Sequence, residues 1–70
     1  MKISARNSLP GTVTDLKLGD LEAEVTIEVA PGLTLTATIT RASAERLGLA
    51  VGQGARAVVK ASDVMVAVED

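Results

Sequence analysis

Residues 21–40 read LEAEVTIEVA PGLTLTATIT, and this stretch decides the fold. Along Leu21–Val29 the odd positions are Leu21, Ala23, Val25, Ile27 and Val29, and the even ones are Glu22, Glu24, Thr26 and Glu28. Along Leu33–Thr40 the odd positions are Leu33, Leu35, Ala37 and Ile39, and every even position is Thr. A period of two, rich in β-branched residues, marks a strand with one buried face. Ala30-Pro31-Gly32 separates the two runs, and a Pro-Gly pair marks a tight turn. The stretch therefore predicts a β-hairpin.

Upstream lie Lys2–Leu9 and Thr12–Leu18, punctuated by Pro10-Gly11, with Gly19-Asp20 leading into the hairpin. Their apolar positions, Ile3, Ala5, Leu9, Val13, Leu16 and Leu18, alternate less regularly. This predicts one long bent strand or two short ones. Downstream, Arg41–Leu47 is helical in pattern. Thr40 stands where an N-cap hydroxyl is wanted, and Gly48 stands where a left-handed glycine ends a helix, with apolar Leu49 behind it. Ala44 and Leu47 are expected to face the core. Val51-Gly52-Gln53-Gly54 reads as a turn. Ala55–Lys60 and Val64–Val68 read as further strands joined through Ala61-Ser62-Asp63. The expected fold is mostly β: an OB-fold-like small Greek-key β-barrel of five to six strands, with one short helix between the third and fourth. One domain over residues 1–70 is expected.

Composition narrows the chemistry. The 70 residues include no His, Cys, Phe, Trp or Tyr, and the 7 basic and 9 acidic side chains give a net charge of −2. Without His or Cys there is no structural zinc site of the usual kind, no thiol nucleophile and no imidazole base. Without aromatics there is no stacking platform for single-stranded nucleic acid, and the net charge disfavours a general phosphate-backbone binder. Glu22, Glu24 and Glu28 fall on the polar face of an amphipathic strand and read as solvated carboxylates. Gly52-x-Gly54 lacks the Lys-Ser/Thr of a phosphate loop. No enzyme is expected. The N-terminus carries no apolar signal segment, and the apolar runs fall far short of the ~20 residues of a membrane span, so a soluble cytoplasmic protein is expected. With 20 Leu, Ile and Val and no aromatic, the core is thin for a lone domain. Disulfides are excluded, and so are structural metals, which leaves oligomerisation as the remedy.

Three places join small hydroxyls to cations or to free backbone donors. Ser4 and Arg6 are two apart on the expected first strand, and so share a face. Thr40 and Ser43 bracket the first helical turn, which holds Arg41 and Ala42 but no acid before Glu45. Helix starts attract anions, and this one is not filled by the chain's own carboxylate. Lys60 and Ser62 are two apart at the end of the expected fourth strand, where alternation would turn Asp63 away. Donors without acceptors suit a fully deprotonated tetrahedral oxyanion. The plain alternative, a Thr cap with ordinary surface hydroxyls, stays open on these residues.

The motifs themselves resemble a known family. Ser4-Ala5-Arg6-Asn7-x-Leu9-x-Gly11-x-Val13 is similar to the opening signature of the molbindin (Mop) domain. Leu35-Thr36-Ala37-Thr38-Ile39-Thr40, then Ser43-Ala44-x-x-Leu47-Gly48-Leu49-x-x-Gly52, resembles its strand, helix and glycine turn. Val59-Lys60-Ala61-Ser62-x-Val64-Met65 resembles its closing element. The resemblance covers essentially the whole chain in order. It implies an OB-like barrel assembled by exchanging strands between subunits, with stand-alone members forming hexamers as trimers of dimers. It implies that molybdate, with tungstate as a mimic, is held between subunits with no metal–protein bond. The family's oxyanion contacts carry over to Ser4, Arg6, Thr40, Ser43, Lys60, Ala61 (through its backbone) and Ser62. Asn7 matches the signature and serves either the anion or the shape of the strand. The implied role is intracellular molybdate storage or buffering by a stand-alone module, with no nucleic acid and no membrane as partner. Two other classes remain to be weighed, a nucleic-acid-binding OB module and a purely structural oligomerisation domain. A pterin ligand is the weaker variant, since no aromatic side chain could stack on its ring.

Overall fold

A computed structural model describes residues 1–69. The elements in chain order are β1 (Asn7–Leu18), β2 (Glu22–Ala30), β3 (Leu33–Thr40), helix α1 (Arg41–Leu47), β4 (Gly54–Val59) and a 3-10 turn over Ala61–Asp63. The strands form one antiparallel sheet in the order β3-β2-β1-β4. Three consecutive strands with the fourth returning beside the first is Greek-key order.

The hairpin forms as the alternation predicts. Ala23 faces Ile39, Val25 faces Ala37 and Ile27 faces Leu35 across the β2–β3 ladder. Ala23, Val25 and Ile27 are buried, while Glu22 and Glu24 are exposed. Gly32 takes φ 75° after Pro31, the positive φ that a Pro-Gly type II turn requires at its second corner.

The uneven pattern upstream has a single cause. β1 is one strand of 12 residues running through Pro10-Gly11, and its register against β2 shifts between Val13 and Asp15. An extra residue in one strand reverses which parity faces inward beyond it. Hence Val13 points into the core before the bulge, and the even position Leu16 takes over after it. Pro10 is tolerated because β1 pairs only with β4 there; pairing with β2 begins at Thr12, so the missing N–H leaves no central ladder broken. Gly11 lies close against β2. A Cβ there would stand 2.3 Å from the Glu28 carbonyl oxygen and 2.9 Å from Ile27 Cγ2. The Gly52–Gln53 turn seals the bulge, with Val13 N–H donating to the Gln53 carbonyl at 2.9 Å and Gly52 N–H to the Val13 carbonyl at 2.8 Å.

The helix has the expected ends. Thr40 Oγ1 accepts from the Ser43 N–H at 3.0 Å. Gly48 closes the helix at φ 64°, ψ 38°, and Leu49 N–H returns to the Ala44 carbonyl at 3.1 Å, the pairing of a Schellman end. Ala44 is buried, but Leu47, expected beside it, is 58% exposed. Leu47 ends the two-turn helix over the open concave face instead of covering it.

The core lies on that face: Val13, Val25 and Ile27, with Leu16, Val29, Ile39, Leu49, Ala55 and Ala57 packed around them. The fold differs from expectation in its last strand. Four strands form instead of five or six, because Val64–Val68 finds no ladder partner among the described residues. A strand needs a neighbour, and the chain turns at Ala61–Asp63 without returning to either free edge, β3 or β4. The sheet is accordingly curled but not closed. Val66 and Val68 remain 88% and 86% exposed. Among the described residues no helix is long and apolar enough to cross a membrane.

Gly11→Ala should lower stability by about 1–3 kcal/mol, since the clash is with backbone and relaxes only if β1 shifts. Chemical denaturation of the two proteins checks this; equal midpoints would show that the approach at Gly11 is not tight.

Candidate anion-binding site

Two of the three places read from the sequence converge through the β1–β4 ladder. Asn7, the first residue of β1, lies opposite Val59, the last of β4. The residues just outside this rung, Ser4–Arg6 on one side and Lys60–Ser62 on the other, therefore leave the sheet side by side. Their local conformation differs from expectation. Ser4–Arg6 precede the strand, so strand alternation does not align Ser4 with Arg6. Likewise β4 ends at Val59, and Ala61–Asp63 form a 3-10 turn, so alternation does not turn Asp63 away from Ser62.

The turn brings its own chemistry. Asp63 N–H donates to the Lys60 carbonyl at 2.9 Å and Val64 N–H to the Ala61 carbonyl at 3.3 Å. The leading N–H groups of such a turn, here those of Ala61 and Ser62, have no partner within it. Asn7 is half-buried at the sheet margin, whereas Ser4, Arg6, Lys60, Ala61 and Ser62 are exposed.

Charge at this end is available. Among the described residues the ion pairs are Lys17 with Asp15 and Glu24, at 3.9 and 4.0 Å, and Arg41 with Glu45 at 2.8 Å. Arg6 and Lys60 are in none of them. An arginine and a lysine without carboxylate partners, beside hydroxyls and backbone N–H groups, form a donor set suited to an oxyanion.

The third place lies elsewhere. Thr40 pairs with Glu22, and Leu18 pairs with Ala23, so the helix start sits at the opposite end of β1 from Asn7. At ~3.3 Å a residue, the 12 residues of β1 span up to about 36 Å, comparable to the molecule's longest extent of 40 Å. Within one chain, Thr40 and Ser43 do not meet Arg6 and Lys60. The helix start is nonetheless ordered. Thr40 Oγ1 accepts from Ser43 N–H and donates to Ser43 Oγ at 2.8 Å, so the Ser43 hydroxyl proton is the one this pair offers outward. Arg41, which the sequence placed in an acid-free first turn, is engaged: Nε donates to Glu45 Oε1 at 2.8 Å and Nη1 to the Gly19 carbonyl at 3.2 Å. It fastens the helix to the β1–β2 turn and is not a free cation.

Sequence reasoning missed Arg56 and Ser8. They are far apart in the chain, but the ladder sets Ser8 against Val58 and Pro10 against Arg56, and Arg56 Nη1 donates to Ser8 Oγ at 3.4 Å. Only the register could have found the pair. With Met1, Lys2 and Ile3 they line a shallow cavity of about 530 Å³. A second, apolar groove of about 640 Å³ follows the concave sheet face, where Val25, Ile27, Leu35, Ile39, Leu47 and Leu49 line it.

Comparison with known proteins sets this arrangement in a family. The TOBE domain model matches residues 3–66. A probable molybdenum-pterin-binding protein of Haemophilus influenzae is 45% identical over 69 residues, covering 99% of this chain and 100% of its own. MopII from Clostridium pasteurianum superposes with a TM-score of 0.90 at 46% identity, over 96% of this chain and 100% of that one. A molybdate-binding protein from Sporomusa ovata superposes with a TM-score of 0.90 at 37% identity, over 97% of this chain and 100% of that one. Sequence, order of motifs and backbone agree along essentially the whole length, and the chain belongs to the TOBE-domain family, in its molbindin (Mop) branch.

Proposed function

We propose that this chain binds the molybdate oxyanion, with tungstate as its close mimic, at sites completed between copies of the chain, and serves as an intracellular store or buffer of it. One observation supports the reading: the β1–β4 ladder ends on the Asn7–Val59 rung, directly before which stands Arg6 and directly after which stands Lys60, neither in an ion pair among the described residues, with Ser4 and Ser62 two residues further out along each chain segment. The relatives' names, molybdenum-pterin-binding and molybdate-binding, point to the same ligand. A pterin ring would find no aromatic side chain to stack on here, so the reading keeps to the oxyanion.

The chemistry is replacement of a hydration shell. Lys60 and Arg6 supply charge-assisted hydrogen bonds. Ser4 and Ser62 supply hydroxyl protons, and Ala61 and Ser62 supply backbone N–H groups. Asn7 anchors the rung from which these groups spring. Every one of these donors suits an anion that has only acceptors to offer, and no bond from protein to metal is needed. Charge and shape do not separate molybdate from sulfate, so selection rests on the size of the completed cavity.

Completion requires a second copy. Ser43, oriented by Thr40, stands at the far end of β1, and a neighbouring chain could bring its helix start to the Lys60 turn. Two further features support assembly. Val64–Val68 is apolar, exposed and unpaired, and both β3 and β4 have free edges. Addition of this segment as a strand to another copy would satisfy its backbone and cover the concave groove. A hexamer built as a trimer of dimers is the expected assembly.

Equilibrium dialysis with elemental analysis should show molybdenum retained at micromolar concentration, displaced by tungstate and not by a large excess of sulfate; no retained molybdenum would sink the proposal. Lys60→Ala should stay assembled and weaken binding by about 10- to 100-fold, the value of a hydrogen bond from a charged group; unchanged affinity would remove Lys60 from the site. A chain ending at Asp63 should elute as a smaller species in light-scattering chromatography, and an unchanged mass would exclude strand addition by Val64–Val68.

A further inference from the structure

The charges of this chain are sorted along β1. The Met1 amino group, Lys2, Arg6, Arg56 and Lys60 gather around the Asn7 end, where the described elements also place Asp63 and, on β2, Glu28, whose carboxylate accepts from the Gly32 N–H of the β2–β3 turn at 3.4 Å. Asp15, Asp20, Glu22, Glu24 and Glu45 gather around the Leu18 end, where Lys17 and Arg41 are paired and Arg46, in the last turn of α1, is a further cation. A net charge of −2 thus hides a positive end and a negative end.

Arg56 is placed with respect to Lys60 by the strand. Ala55, Ala57 and Val59 are half-buried on the inner face, and Arg56 and Val58 are exposed on the outer one. Lys60 keeps extended backbone, φ −65° and ψ 135°, so it continues the outer row. Four residues at ~3.3 Å each put Arg56 about 13 Å from Lys60 along the strand. That is too far for both to grip one small anion. It is well within reach of a field, whose screening length is ~30 Å at 0.01 M ionic strength and ~8 Å at physiological salt. Lys2 and Arg56 line the same shallow cavity with Ser8, no carboxylate lines it, and neither cation is in an ion pair among the described residues.

We infer that Lys2 and Arg56 form an anion-capture strip beside the oxyanion site: they raise the local concentration of a divalent oxyanion and its rate of association, and they do not hold it once bound. The inference rests on the oxyanion reading above. Arg56, held over β1 by Ser8, presents its charge on the outer face, and Lys2 adds a second charge at the cavity rim. The acidic far end repels anions, so approach is biased towards the end that carries Arg6 and Lys60. Clefts lined by one sign of charge act in this way on association rates, and the effect falls steeply with salt.

The test is the rate of uptake of radiolabelled molybdate by the full chain, followed by rapid mixing and filtration. At ~0.01 M ionic strength the double variant Lys2→Gln, Arg56→Gln should associate about 3- to 10-fold more slowly than the parent, with its dissociation rate unchanged. The difference should vanish near 1 M, where the screening length is ~3 Å. Arg56→Lys, which keeps the charge and gives up the guanidinium geometry, should associate like the parent, and its normal uptake also shows that position 56 tolerates change. Equal association rates for parent and double variant at low salt overturn the inference and leave the oxyanion reading standing. Faster dissociation of the double variant also overturns it, because the two residues would then belong to the site. A parent that retains no molybdate removes the oxyanion reading, and this inference with it.

Discussion

β1 has to serve two partners. Its first half pairs with β4 from Asn7 to Thr12, and its second half pairs with β2 from Thr12 to Leu18. One strand can do this while keeping apolar residues inside only if its facing changes where the partner changes. The shift between Val13 and Asp15 supplies that change, and the Gly52–Gln53 turn fills the freed backbone positions of Val13. Gly11, pressed against the Glu28 carbonyl, lets the two halves of the sheet curl towards each other. The core, the helix placement and the juxtaposition of the chain's first and last motifs all descend from this arrangement.

The curl leaves a small buried set, Val13, Ala23, Val25, Ile27 and Ala44. It also leaves large apolar side chains outside, among them Leu21, Met65, Val66 and Val68, each more than 80% exposed. Small domains bury a low fraction of their surface and need a supplement. A chain without cysteine cannot take it from a disulfide. The proposed assembly would remove apolar surface from water and complete the anion site in the same step, and binding that favours the assembled state would stabilise it by mass action.

Much of the fold was legible because local patterns are strong where a strand has one wet face. The β2–β3 hairpin, its Pro-Gly turn, the Thr40 cap and the Gly48 end follow from residues only a few positions apart. Val64–Val68 is apolar and rich in β-branched residues, as a strand would be, yet it forms none, since composition states a preference for pairing and cannot supply the partner. Leu47 has core-like spacing, but a two-turn helix on an open sheet has nothing to bury it. Ser4 with Arg6, and Lys60 with Ser62, were aligned by an assumed alternation; irregular backbone and a 3-10 turn hold them instead, and they come together through a ladder that no local signal announces.

Residue order alone settles the β2–β3 hairpin, the short capped helix, the hydroxyl and cation motifs, and the family resemblance, because these depend on side-chain chemistry and short-range spacing. The three-dimensional arrangement settles which motifs are neighbours. Pairing of Asn7 with Val59 unites the two ends of the chain, while the length of β1 keeps the Thr40–Ser43 pair away from them. The same ladder gives Arg56 its position over Ser8. Register and strand length are long-range consequences of burying one face of a twisted sheet, and they become definite only once that sheet has formed.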